Sequence, residues 1–350
     1  MQEGKLGIIP AIVCMQKSIV LVGHITNDIS PVPHVGGGVS WSGIAFARLG
    51  FSVVLVTKAP RQHPYLQELK NLGIRDIYTL PVRDEKYAKT LTSFDNQYDA
   101  QFHRQQISPS QQEPITLEDW KAFRGTDAFR NLPQNAGVLI APVIGEVDPR
   151  IFPLVKNDFP FLAVTPQGYF RYIEKESGRV LQVPWKEKDA LQFSDATILS
   201  EEDLRFDQDG GYFRALRAVA PLVVLTRGEK GLTIFQKRKE KELEVKAYAL
   251  LPGEVRDPTG AGDVCAAAFT SYYLQTTDMH QAGVFAALFA ALKIRGNETR
   301  ELGMATIPGQ DAIPTFMKRE KKRYETFLAE NNLGFLSLFP ERQRSSRERK

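Results

Sequence analysis

Short apolar runs alternate with helically spaced stretches along most of the chain. Residues 19–23 form a β-branched run closed by Gly23, the pattern of a parallel strand covered on both faces. Residues 51–57 repeat that pattern, residues 64–72 show helical spacing ending at Gly73, and residues 74–80 return to strand. After an interruption the alternation resumes with helix 117–124, strand 138–141, helix 149–155 and strand 161–165. Strands at 196–199 and 221–226 follow, then a hairpin of 232–236 with 244–249, and finally helices at 263–274 and 280–294. This order predicts an α/β fold in three layers, a mainly parallel central sheet with helices on both faces.

Residues 88–107 interrupt the pattern. Residues 90–94 and 101–105 flank a polar turn at 95–99 and are too poor in apolar residues for a central strand, so they predict a small β hairpin projecting from the body. One domain over 17–310 with this insertion accounts for most of the chain. Residues 1–16 read as an N-terminal extension: Lys5 and the apolar stretch to Met15 loosely resemble a short signal segment, but no small-residue cleavage site follows and the strand pattern begins at once. Residues 318–350 carry ten Lys/Arg against five Glu, leaving 35 against 36 for the rest, so a neutral body is expected to end in a basic, solvated tail.

Composition narrows the function. A charged content of 25% and an apolar content of 43% over 350 residues suit a globular enzyme. A neutral body is not the electrostatic footprint of a nucleic-acid binder, and no run reaches the ~18 apolar residues that would span a bilayer. Two cysteines, Cys14 and Cys265, make no disulfide framework, and Cys265 falls in an Ala-rich helical run as a small apolar residue would. The five His show no metal-ligand spacing. A cytoplasmic enzyme with a small-molecule substrate is the expectation, with neither nucleic acid nor membrane as partner.

The candidate chemistry lies at Gly260-Ala261-Gly262-Asp263, which opens an apolar helix. Small residues at a helix start leave backbone N–H groups bare, and with the positive end of the helix dipole these make an anion site. Asp263, within the first turn, is placed to accept a proton beside it, a pairing suited to phosphoryl transfer. Taken alone, the simpler reading is a helix entry capped by glycines and stabilised by Asp263. Neither a Gly-x-x-x-x-Gly-Lys-Ser/Thr loop nor a Gly-x-Gly-x-x-Gly turn occurs.

The wider stretch Asp257-Pro258-Thr259-Gly260-Ala261-Gly262-Asp263 closely resembles the C-terminal signature of the ribokinase-like (pfkB-type) carbohydrate kinases. Other segments resemble that family in the same order: Asn27-Asp28, Gly36-Gly37 with Ala45 to Gly50, Ala141 to Glu146, and Thr226-Arg227-Gly228-Glu229-Lys230-Gly231. The resemblance covers residues 17–300 and reverses the weighting of the signature. It implies a ribokinase-like fold whose hairpin at 88–107 is a β lid, and an ATP-dependent kinase that phosphorylates a hydroxyl of a sugar or cyclitol. A nucleoside kinase of the same fold, or an inactive ligand-binding module, stands as the alternative. By the same resemblance Asp263 is the base, and Gly260, Ala261 and Gly262 form the anion hole. Asp28, Gly37 and Gly38 receive the substrate, and Thr226 and Gly228 contact the nucleotide. Asp257 and Thr259 lie where some members hold a monovalent cation such as K⁺. Mg²⁺ is expected with the nucleotide, and a homodimer through the lid is compatible with the pattern.

The chain departs from the family at three places. Gly38-Val39-Ser40-Trp41 puts an aromatic residue where many sugar kinases carry Asn, so Trp41 is a candidate to stack on substrate, with a core position the equal alternative. Ser200-Glu201-Glu202-Asp203 replaces the usual acidic segment, leaving Asp203 to act on Mg²⁺ indirectly, and Ala287 stands where Asn or His is frequent. Gln167 and Arg171, in a loop after a strand, and Arg104 on the hairpin are further substrate candidates, each weighed equally against a surface role.

Overall fold

The computed structural model describes residues 17–30, 32–98, 104–133, 135–239, 241–296, 303–310 and 312–333. In chain order its first half comprises β1 (Ser18–Val22), β2 (Thr26–Asp28), β3 (His34–Gly36), α1 (Gly38–Arg48), β4 (Ser52–Thr57), α2 (Pro64–Asn71), β5 (Asp76–Thr79), β6 (Thr92–Tyr98), β7 (Arg104–Ser110), α3 (Leu117–Arg124), α4 (Asp127–Arg130), β8 (Gly137–Ile140), α5 (Phe152–Asp158) and β9 (Phe161–Val164). The second half comprises β10 (Arg171–Ile173), β11 (Val180–Gln182), β12 (Ala196–Ser200), α6 (Gly211–Val219), β13 (Leu222–Thr226), β14 (Leu232–Gln236), β15 (Leu243–Val245), α7 (Ala261–Thr276), α8 (Met279–Arg295), α9 (Ala312–Arg319) and α10 (Lys321–Glu330).

Nine strands form the central sheet in the order β15-β14-β13-β12-β9-β8-β1-β4-β5, with all pairings parallel except those of β14 with β13 and β15 at one edge. β1 is buried throughout because its alternate side chains feed two cores. Ile19 and Leu21 join Phe46 of α1, Phe269 of α7 and Phe289 of α8, while Val20 and Val22 join Trp120 and Phe123 of α3, Phe152 of α5 and Leu216 of α6. Helices therefore cover both faces, as the alternation predicted.

The chain runs from β1 outward to β4 and β5, then returns to β8 on the other side of β1. Strand order thus reverses at β1, and a crevice at the carboxyl ends of β1 and β8 is where such sheets bind ligands. A buried carboxylate ties that crevice together. Glu146 accepts the N–H groups of His24, Val143 and Ile144 and so joins the loops after β1 and β8.

The small sheet is larger than the predicted hairpin and has the order β3-β2-β6-β7. Asn27 and Asp28 lie in its strand β2, and β6 runs as strand through the expected turn at 95–99 as far as Tyr98. Residues 99–103 lie outside the described residues, as do 1–16 with Cys14, and 334–350. The basic C-terminal segment is not a solvated tail from residue 318. α9 and α10 pack Ile313, Phe316, Tyr324, Phe327 and Leu328 into the same core as α8, so the folded unit extends at least to residue 333. Of the ten basic residues that suggested a tail, Lys318, Arg319, Lys321, Lys322 and Arg323 belong to these amphipathic helices, and the other five lie outside the described residues. Cys265 is buried, and that burial pushes its thiol up to about 12, which leaves it an unreactive packing residue.

Candidate active site

Two helix starts meet at the crevice. α1 begins after Gly37, whose φ of 92° and close approach to the His24 carbonyl leave no room for a side chain. α7 begins after Gly260, whose φ is 72°. A methyl group on Gly38 would lie 3.0 Å from Asp263 Oδ1, so the carboxylate of Asp263 rests against the first turn of α1. Ser42 Oγ donates to the Asp263 carbonyl at 3.2 Å and fastens the two helices together.

Enclosure in this crevice pushes the Asp263 carboxyl up to about 7; Arg171 pulls it down, while the negative charges of Asp203 and Asp28 add to the rise. A half-buried carboxyl titrating near neutrality suits a proton acceptor. The expected kcat/KM profile rises with pH through about 7 as the carboxyl ionises, then levels. Removing the favourable charge with Arg171→Met should move that midpoint up by ~1 unit, and Asp203→Asn should move it down; a pH series on the three proteins checks both signs.

The predicted anion hole is built differently from expectation. Ala261 N–H donates to the Pro258 carbonyl at 3.1 Å and is therefore engaged in a turn. Among the described residues, the N–H groups of Gly260, Gly262 and Asp263 have no protein acceptor and are the open donors at this helix start. Beneath it lies Trp41. Its indole is 3% exposed, and a methyl group on Gly260 would lie 2.2 Å from Cδ2. Trp41 is therefore a floor under the Gly260 turn and is withdrawn from the substrate side, a correction to the stacking role.

Asp203 is buried, which raises its pKa, while the Ser200 N–H at 2.9 Å and Gln167 Nε2 at 3.2 Å hold its two oxygens. These donors leave it unsuited to bind a metal directly, and it lies near enough to Asp263 for its charge to act there. The segment after Ser200 is one short 3₁₀ turn with a capping box. Gln167 thus orients Asp203, and Arg171 donates to the Val143 carbonyl at 3.1 Å while lying 5.9 Å from the Phe94 ring of the small sheet. Asp28 is half-buried; Thr26 Oγ1 donates to it at 2.9 Å and His34 Nε2 lies 4.0 Å away. Thr226 ends β13 opposite Ser200, and Gly228 follows in an open turn with φ of 55°.

Asp257 and Thr259 do not fit a free monovalent cation. Lys293 Nζ donates to the Asp257 carbonyl at 2.8 Å, to Asp257 Oδ2 at 3.0 Å and to the Thr259 carbonyl. Sequence reasoning missed Lys293, although a lone charge within the apolar run of residues 282–294 was a signal for it. Among the described residues no group of three or more His, Cys, Asp or Glu side chains could hold a metal, and no helix is long and apolar enough to cross a membrane. A separate cleft lined by Arg48, Phe51, Asn71 and Arg75 opens at the amino ends of β4 and β5, away from this chemistry.

Residues 196–306 match the pfkB family carbohydrate kinases. A nucleoside kinase from Methanocaldococcus jannaschii is 37% identical over 73 residues, which are 21% of this chain and 22% of that protein. The chain thus spans about a fifth of that relative's length. A cytidine kinase from Thermococcus kodakarensis is 26% identical over 272 residues, 73% of this chain and 88% of that one. A pyrophosphate-dependent kinase in the ribokinase family, solved with a pyrophosphate analogue and myo-inositol, superposes with a TM-score of 0.63 at 22% identity, covering 79% of this chain and 95% of the other. The chain carries the ribokinase-family fold and, in its C-terminal half, the pfkB carbohydrate kinase signature.

Proposed function

We propose that the protein transfers the γ-phosphoryl group of ATP to a hydroxyl of a small polyol. The observation that carries this is the Asp263 carboxyl, held near neutrality at the mouth of a three-donor cradle at the carboxyl edge of the sheet. Asp263 takes the proton of the acceptor hydroxyl as the hydroxyl oxygen attacks the γ-phosphorus and the bond to the bridging oxygen breaks, ADP leaving with it, and the Gly260, Gly262 and Asp263 N–H groups receive the negative charge that builds on the phosphoryl oxygens. Asp28, Gly37 and Gly38 hold the acceptor, Arg171 balances charge between Asp263 and Asp203, and Thr226 and Gly228 hold the nucleotide. When bound, Mg²⁺ would neutralise donor phosphates, with Asp203 ordering its water. Closure of the small sheet over the crevice would exclude water as a competing acceptor.

A sugar or cyclitol is the acceptor favoured by the family signature, and the structural neighbour solved with myo-inositol supports it. Trp41 no longer argues for a sugar face. A nucleoside is the second reading, supported by the cytidine kinase relative across most of its length. Incubation with γ-labelled ATP and a panel of sugars, inositols and nucleosides should label one class, and Asp263→Asn should abolish that label. If neither ATP nor pyrophosphate labels any member of the panel, the reading is wrong.

A further inference from the structure

We propose that Lys293 is a tethered cation, its ammonium standing inside the chain where a free monovalent ion would otherwise brace the phosphate cradle, so that donor binding needs no K⁺. The inference rests on the phosphoryl-transfer reading for what the cradle binds, but the brace is a property of the fold itself.

Lys293 is fully buried on α8. An ammonium has three hydrogens and no acceptor, and here three oxygens surround it: the Asp257 carbonyl, Asp257 Oδ2 and the Thr259 carbonyl. The Trp41 ring lies 4.8 Å from Nζ and covers a further side with its π face. Burial lowers the Lys293 pKa, against the pull of Asp257. Burial also works to raise Asp257, but the Lys293 ammonium with the Thr259 and Gly303 N–H groups outweighs it and holds the carboxyl low. Carbonyls and a carboxylate converging on one point form a hard-cation site. A second cation placed a few ångströms from Nζ in this dry pocket would meet strong repulsion.

The brace reaches the cradle through one peptide plane. In a trans peptide the C=O and the following N–H point in opposite directions. Pinning the Thr259 carbonyl on Lys293 therefore turns the Gly260 N–H away from it, toward the side where the cradle opens. Lys293 is thus a positioning residue, with no contact to the transferred group.

The test uses the full chain and binding of a nonhydrolysable ATP analogue with Mg²⁺, measured calorimetrically in KCl and in tetramethylammonium chloride of equal ionic strength. The wild-type affinity should be the same in both salts. Lys293→Met should weaken binding by about tenfold or more in tetramethylammonium, and K⁺ or NH₄⁺ should restore much of it, a rescue that a merely structural lysine would not show. Wild-type affinity that tightens severalfold with K⁺ overturns the proposal, as does a Lys293→Met protein that binds normally in tetramethylammonium. Should that variant not fold, the wild-type comparison decides alone. A wild-type chain that binds the analogue in neither salt defeats the donor reading, and the brace is then judged on melting temperature: K⁺ should raise that of Lys293→Met and leave the wild type unchanged, and any other pattern overturns it.

Discussion

Asp263→Asn should lower turnover by ~10²–10⁴-fold, the usual contribution of a positioned general base, while the nucleotide still binds. The amide keeps the shape of the carboxyl and its place against Gly38, but cannot accept the hydroxyl proton. The same substitution should stabilise the fold at alkaline pH. The Asp263 carboxyl is pushed up from 3.8 to about 7, so the folded chain holds that proton more tightly than the unfolded chain does. Its stabilising effect is complete below pH ~4 and lost as pH rises through ~7. Above that range the wild type carries a desolvated charge that Asn lacks, and the variant should gain ~1–3 kcal/mol after allowing for residual solvent and the lost helix-dipole attraction. Urea titrations at acid and alkaline pH should show the two proteins diverging only toward the alkaline end. A variant that is inactive and destabilised at every pH would mean that Asp263 serves as a helix cap rather than a base.

Gly260→Ala should damage both folding and turnover. The residue sits at φ 72°, where a side chain costs ~1–2 kcal/mol. Its methyl group would also lie 2.2 Å from the Trp41 indole, and overpacking adds ~1–3 kcal/mol. Relief requires the α7 entry to lift off α1, which misaims the Gly260 N–H and should lower turnover by ~10²-fold or more. Gly262→Ala is the contrast. It has open space around the added carbon, so its stability should stay within ~0.5 kcal/mol of wild type. Combining Gly260→Ala with Trp41→Leu should recover the steric part of the lost stability but leave the backbone part. Equal thermal stability of the Gly260→Ala and Gly262→Ala proteins would show that Trp41 does not support the cradle.

Local patterns carried much of this. The β-branched run of β1 has to be covered on both sides, so the layered α/β arrangement followed from its composition and from the helices on either side of it. The α7 signature was legible because small residues, a bare helix start and an acid in the first turn are contiguous. The small sheet was legible only as an interruption. Its strands β2 and β3 come from a stretch rich in turn residues, and pairing β2 with β6, some 65 positions onward, has no local signature. α6, α9 and α10 were missed where charged residues hid an amphipathic stripe.

The chemistry of the signature was therefore in the chain order: a base, a cradle and a fold to carry them, because each depends on neighbours within a few residues. The strength of that base and the shape of that cradle depended on long-range packing. Asp263 is raised by the enclosure formed where α1 meets α7, by Asp203 from the 3₁₀ turn after β12 and by Asp28 from β2. Trp41 could have faced substrate or core, and the left-handed turn at Gly260 chose the core by needing a flat surface beneath it. Asp257 and Thr259 offered oxygens to any cation, and α8, arriving from 34 residues further along, filled the place with Lys293.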